Sequence, residues 1–289
     1  MQLIEVLPVS LLVEQRTLVN KLRDLARTLG LDFGWHYLLD LTWIISHLTP
    51  DITDKYIIDA GAGVGVLQWY LATQGANVIS IDRLNRQNLA LRFRGRFKVN
   101  GLRDSDLHPV RNVLFNFGTP LKSHLSDLVH GSAGLFQREA GTVTIYHQDL
   151  KTLRDIADQS QDIVVSVSAL EHNSPEGLSE VVTELMRTLK PGGKLLATLC
   201  AAEDKSWFHE PSKGWCYDAN TLRRLFDLPV DTPDNYGDYQ KMMVEMRVCA
   251  ELRDNLARFY FKSEDNGMPW GKWDPQYLPV GVCKIKGGQ

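Results

Sequence analysis

A chain of 289 residues, 44% of them hydrophobic, fits one large α/β domain or one domain with sizeable insertions, and its composition excludes a disordered protein. Its 32 Lys+Arg against 35 Asp+Glu give a net charge of −3, which argues against holding nucleic acid through global positive charge. Cys200, Cys216, Cys249 and Cys283 form no C-x-x-C motif and are too sparse for a disulfide scaffold, so reduced thiols in a cytoplasmic protein are expected.

The first residues, MQLIEVLPVSLL, have no basic segment ahead of the apolar ones and do not read as a signal peptide. Leu11, Leu18, Leu22, Leu25 and Leu29 give helical spacing over 9–29, and Gly30 is its stop. A second helix is expected over 33–48, FGWHYLLDLTWIISHL, closed by Pro50. It contains His36, Asp40 and His47 and falls short of the roughly 20 residues of a membrane span, so it reads as a buried helix. No partner membrane is expected. KYIIDAG suits a strand buried on both faces. Helical spacing resumes over 64–74, Gly75 breaks it, and NVISID is the next strand.

TVTIYHQDL (142–150) and DIVVSVSAL (162–170) read as further strands. Over 176–189, Leu178, Val181, Val182, Leu185 and Leu189 share a helical face, and KPGGKLLATL is a turn followed by a strand. Strands alternating with helices imply βαβ units and a parallel sheet. Roughly 60 residues part the second and third strands, far more than a crossover needs. Past residue 200 come aromatic-rich loops, a helix over 238–258 and a last apolar run, YLPVGVCKIK. Residues 1–48 are expected to form a helical cap and 49–289 the main domain, with an insertion at 96–141 and a C-terminal elaboration at 202–275.

Between the first two core strands, DAGAGVG places Asp59 ahead of Gly61, Gly63 and Gly65. Bare backbone there lets a ligand approach the carboxyl ends of the strands. The dinucleotide fingerprint G-x-G-x-x-G is not met, because Val66 stands at its third glycine. The stretch instead resembles the D-x-G-x-G-x-G first motif of class I S-adenosylmethionine (SAM) dependent methyltransferases, and the resemblance runs over residues 56–200. It implies an α/β, Rossmann-like fold: a mostly parallel seven-stranded sheet, helices on both faces, and an antiparallel last strand inserted between two parallel ones. It makes 49–289 a SAM-binding domain with SAM as cofactor. Asp82 then accepts hydrogen bonds from the ribose hydroxyls, with Arg83 beside it. Asp149 in HQDL pairs with the adenine amino group, and the backbone of Leu150 borders the ring. Ser168 opens the loop after the fourth strand, and LKPGG is the most family-specific phrase of the chain.

Methyl transfer to a hydroxyl wants a general base, and His172 in SALEHNS is the candidate; His209 is a second one. Glu171 either orients His172 or helps form the SAM pocket. Relatives with E-x-x-E-H in this loop bind Mg²⁺; Ser168 replaces the first ligand here, so no metal is expected. Residues 83–111 hold Arg83, Arg86, Arg92, Arg94, Arg96, Lys98, Arg103 and Arg111 against Asp104 and Asp106, either a phosphate-recognising patch or a solvated helix face. Trp207, Phe208, Trp215 and Tyr217 suit a small organic acceptor. The expectation is methyl transfer to a small-molecule or glycan acceptor, at oxygen with His172 as the candidate base, and to an anionic acceptor if the basic segment is functional. Two alternatives stand beside it: an RNA methyltransferase using 83–111, and a non-catalytic SAM-binding protein.

Overall fold

The computed structural model describes residues 1–110, 140–257, 268 and 272–287. The expected insertion at 96–141, the elaboration at 202–275 and Arg111 lie in part or whole outside the described residues. Ten strands occur among the described residues: β1 (Leu3–Val6), β2 (Tyr56–Ala60), β3 (Asn77–Asp82), β4 (Lys98–Gly101), β5 (Thr142–His147), β6 (Gln161–Val167), β7 (Leu189–Ala201), β8 (Trp207–His209), β9 (Gly214–Tyr217) and β10 (Leu278–Ile285).

Their order is β1-β10-β7-β6-β2-β3-β5-β4, and β9 adds to the carboxyl end of β7 with β8 beside it. The central pairings β7–β6, β6–β2, β2–β3, β3–β5 and β5–β4 are parallel. β10 runs antiparallel between β7 and β1, as the resemblance implied for the last strand. More strands are present than the seven expected. β1, β4, β8 and β9 have three or four residues each, too short for a period of two to stand out in the sequence. The first 48 residues therefore contribute a strand as well as helices.

β2 shows why the middle of the sheet reads as continuous apolar sequence: Ile57, Ile58 and Ala60 are all sealed, with parallel neighbours on both sides. Among the described residues the α-helices are α1 (Leu11–Glu14), α2 (Arg16–Leu29), α3 (Tyr37–Ser46), α4 (Leu67–Thr73), α5 (Leu91–Arg96), α6 (Pro175–Thr188), α7 (Ala219–Leu225), α8 (Tyr239–Arg247) and α9 (Ala250–Arg253). The expected helix over 9–29 breaks at Gln15, and α2 ends at Gly30, whose φ of 61° lets Leu31 N–H return to the carbonyl of Ala26 at 2.9 Å. α6 starts on Ser174, whose hydroxyl accepts from Gly177 N–H, with Pro175 following. The LKPGG stretch lies inside β7 rather than in a separate turn. Gly192 and Gly193 exchange hydrogen bonds with Lys286, which pins this end of β7 to the segment after β10.

The parallel strands all point their carboxyl ends one way. Gly61, Asp82, Asp149 and Ser168 follow or end β2, β3, β5 and β6 and so gather on one edge.

Candidate active site

After β2 the chain turns through Gly61 at φ 75° and Gly63 at φ 48°. A Cβ on Gly61 would stand 2.4 Å from the Cβ of Ala169, in the loop after β6, so both the backbone and the available space demand glycine. Gly61 and Ala62 donate to the carbonyl of Ile81, and Gly65 N–H closes on Ala62 at 2.9 Å. Gly63 N–H donates to Asp82 Oδ2 at 2.7 Å and Leu84 N–H to Asp82 Oδ1 at 2.6 Å. Both carboxylate oxygens are thus oriented, and each keeps acceptor capacity for a ligand.

Beneath the loop lies a buried polar group of Asp59, Gln68, Ser80 and Arg86. Arg86 Nη1 donates to the carbonyl of Gly63 at 2.9 Å and to Ser80 Oγ at 2.5 Å, and Nη2 donates to the carbonyl of Ser80 at 2.8 Å. Burial pushes the Asp59 carboxyl up to about 7; Arg86 draws it down and Asp82 pushes it up. Arg86 is buried and so belongs to neither a phosphate-recognising patch nor a solvated helix face, the two alternatives for 83–111. Arg94 donates to the carbonyls of Leu89, Gln87 and His108, and Arg103 binds Asp106 and the carbonyl of His147. All three cations are engaged by carbonyls and side chains of the chain itself; charge counting finds the cluster and misses these partners.

A cavity of about 700 Å³ opens above the loop. Asp59, Gly61, Gly63, Gly65, Asp82, Arg83, Asp149, Leu150, Ser168 and His172 all line it, together with Leu31, Phe33 and Tyr37 from the N-terminal region. Asp149 Oδ1 accepts from Lys151 N–H at 2.9 Å, and its other oxygen stands 3.8 Å from Arg83.

The opposite wall is the loop after β6. Ser168 holds a φ of 44°, its N–H donates to the carbonyl of Thr198 at 3.0 Å, and its hydroxyl donates to Glu171 Oε1 at 2.5 Å. Glu171 is buried, which pushes its carboxyl up, and its Oε2 has no protein partner among the described residues. Glu171 therefore does not orient His172 by a hydrogen bond. His172 Nδ1 instead meets the carbonyl of Lys213, in the β8–β9 turn, at 3.1 Å. A carbonyl only accepts, so Nδ1 carries a proton towards Lys213 and, in the tautomer this fixes, Nε2 is the acceptor nitrogen.

His209 is not among the residues lining the cavity. Its Nδ1 pairs with Ser212 Oγ at 2.7 Å, its ring packs edge-on against Trp207 and Tyr277, and burial pushes its pKa down. Beside Tyr37 and Leu41, which line the cavity from α3, His36 and Asp40 make a sealed pair at 2.6 Å. The reading of 33–48 as a buried helix contains both residues but not their pairing, although their i,i+4 spacing signals it. Among the described residues no three His, Cys, Asp or Glu side chains converge as a metal site would need. No helix among them is long and apolar enough to cross a membrane.

Residues 124–197 match the family model of a methyltransferase domain. The described part of that segment runs from β5 to β7 and includes Asp149, Ser168 and His172; the glycine loop lies ahead of it. No curated protein matches the chain. Among solved structures, the [4+2]-cyclase SpnF is similar at 15% identity and a TM-score of 0.53, over 100% of both chains. A putative sarcosine dimethylglycine methyltransferase from Galdieria sulphuraria is similar at 16% identity and a TM-score of 0.51, over 93% of this chain and 98% of that one. A phosphoethanolamine N-methyltransferase 2 from Haemonchus contortus, with S-adenosylhomocysteine bound, is similar at 14% identity and a TM-score of 0.50, over 96% of this chain and 59% of that one. These likenesses show the fold, and a cyclase among them shows that the fold alone does not choose a reaction.

Proposed function

We propose that the chain is a class I SAM-dependent methyltransferase and transfers the methyl group to a hydroxyl of a small molecule or glycan, with His172 as general base. The observation that carries this assignment is that His172, with its Nδ1 committed to Lys213, lines the same cavity as the glycine loop, Asp82 and Asp149.

The residues present suit the cofactor. Bare backbone at Gly61 and Gly63 admits close approach, and Asp59 and Asp82 offer negative charge to a cationic ligand. The cavity falls within the roughly 300–1,000 Å³ of small-molecule pockets. In this assignment Asp82 accepts from the ribose hydroxyls, Asp149 from the adenine amino group, and the backbone of Leu150 borders the ring. Gly65, Arg83 and Ser168 complete the cofactor's surroundings. When bound, SAM supplies a methyl group already activated on a sulfonium centre.

The chain's part is then position and proton removal. The cavity walls hold the acceptor in line, which in well-oriented systems accounts for about 7–11 kcal/mol of barrier. His172 Nε2 takes the hydroxyl proton as the new bond forms, a contribution of about 10²–10⁴ in rate. A small acceptor is supported by the names of the Galdieria and Haemonchus neighbours. The latter is named an N-methyltransferase, and a neutral amine would need no base; oxygen is supported here by His172 alone.

The test is calorimetric titration with SAM and S-adenosylhomocysteine, then turnover on a panel of hydroxyl and amine acceptors. Asp82→Ala should weaken SAM binding by about 1.5–3 kcal/mol, the worth of hydrogen bonds to a charged group. His172→Ala should lower turnover about a hundredfold or more and leave SAM affinity within about twofold. Full turnover in that variant removes His172 from the mechanism.

A further inference from the structure

Arg86 is 4% exposed beneath the glycine loop, and its Nε has no protein partner among the described residues. Burying a guanidinium is costly, and well-packed apolar side chains often serve stability as well or better. Arg86 does something an apolar residue cannot: it grips the carbonyl of Gly63.

The grip is part of a network. Ser80 Oγ accepts from Arg86 and donates to Gln68 Oε1 at 2.6 Å. Gln68 Nε2 in turn donates to the carbonyl of Gly65 at 3.1 Å and approaches those of Ala62 and Gly63 at 3.4 Å. The loop's carbonyls are thus drawn inward together. In a planar trans peptide the C=O of one residue and the N–H of the next point opposite ways. With the Gly63 carbonyl turned to Arg86, the N–H of Val64 is turned away from it, and Val64 lines the cavity, half exposed. On the other side of Gly63, its own N–H is held by Asp82. Both peptide planes flanking Gly63 are therefore fixed by side chains from the segment after α4.

We propose that Arg86 is a positioning residue for the cofactor: it locks the 63–64 peptide with its N–H available to the ligand, and its charge offsets that of Asp59 and Asp82 side by side. This rests on SAM as the occupant of the cavity. Arg86 touches no ligand; it acts through the loop and through the carboxylates.

The experiment is calorimetry of S-adenosylhomocysteine binding from pH 6 to 8 on the full chain, with thermal unfolding in parallel, for wild type, R86M and R86K. R86M should bind roughly tenfold to a hundredfold more weakly. Its affinity should also change with pH around a midpoint above that of wild type, because Asp59 has lost its cationic partner. A purely structural role would not move that midpoint. R86K, which keeps the charge without the planar fork, should restore the wild-type midpoint and only part of the affinity. Wild-type affinity in R86M overturns the proposal, and so does weakened binding with the wild-type pH profile. Should R86M not fold, R86Q carries the same two readouts with a donor kept under the loop. Failure of wild type to bind S-adenosylhomocysteine or SAM overturns the cofactor assignment itself, and so is distinct from failure of the Arg86 proposal.

Discussion

The two walls of the cavity are held together in opposite ways. The wall that carries the glycine loop, the cofactor wall below, is local: the loop, Gln68, Ser80, Asp82 and Arg86 belong to one strand–turn–helix–strand run, and the longest side-chain hydrogen bond among them joins Arg86 to Gly63, 23 residues away. The facing wall is assembled from a distance. Ser168 leans on Thr198, 30 residues on, and His172 on Lys213, 41 residues on, while α3 comes from the N-terminal region. Both walls need positive φ, and they meet the need differently. The cofactor wall uses Gly61 and Gly63, whereas the facing wall forces Ser168 to 44° and Lys213 to 53°. Non-glycine residues held there cost about 1–3 kcal/mol each, so the facing wall stores strain that its neighbour avoids.

Asp40→Ala should have the largest effect and should fall on one wall. It strips a sealed His36 of its partner, and breaking a buried pair costs about 3–5 kcal/mol. The expected outcome is a fall in melting temperature of roughly 10 °C, with SAM affinity within about twofold while the protein is folded. An equal loss of SAM affinity would mean that the two walls are not separable.

Gly61→Ala tests a place where the walls approach closely. The added methyl meets Ala169 in a backbone conformation that alanine resists, so a cost of about 1–3 kcal/mol is expected, with weakened SAM binding. Ala169→Gly in the same chain should return part of that loss, a coupling of about 0.5–3 kcal/mol measurable by a double-mutant cycle. No recovery would assign the whole cost to the φ of 75° and none to contact between the walls.

The same division explains what was legible in the sequence. Asp59, the glycines and Asp82 were readable as a cavity-lining group because their pattern lies within one stretch of chain. Asp149, Leu150, Ser168 and His172 line the cavity where family-like order put them. Arg86 was visible only as one charge in a basic run, since nothing in its spacing says that the side chain turns under the loop. Lys213 was invisible as a partner of His172, because its role lies in a backbone carbonyl brought over by the β8–β9 pairing. The pairing of His36 with Asp40 was available in their spacing, but burial against the carboxyl ends of the strands follows only from where α3 packs. β1 escaped for a different reason: Leu3–Val6 owes its conformation to β10, far along the chain, rather than to its own four residues.

The remaining expected effect belongs to the cofactor wall and needs no substitution to appear. In the ligand-free protein the Asp59 carboxyl lies at about 7, above its ordinary value of 3.8, because burial outweighs Arg86. A carboxyl raised on folding favours the fold fully below its unfolded pKa, and that contribution is lost as pH rises through about 7. Thermal stability of the ligand-free protein should therefore decline between pH 4 and 7, and Asp59→Asn should flatten that decline. A cation bound in the cavity pulls the carboxyl back down, so binding SAM releases a proton and affinity rises with pH until about 7 and then levels off. One unit of downward shift makes the difference about tenfold between the two limits. S-adenosylhomocysteine lacks the sulfonium charge and should show a shallower rise, and in Asp59→Asn both ligands should lose it. An equal pH slope for the two ligands would place Asp59 out of reach of the sulfonium, leaving Asp82 as the carboxylate that meets the ligand on this wall.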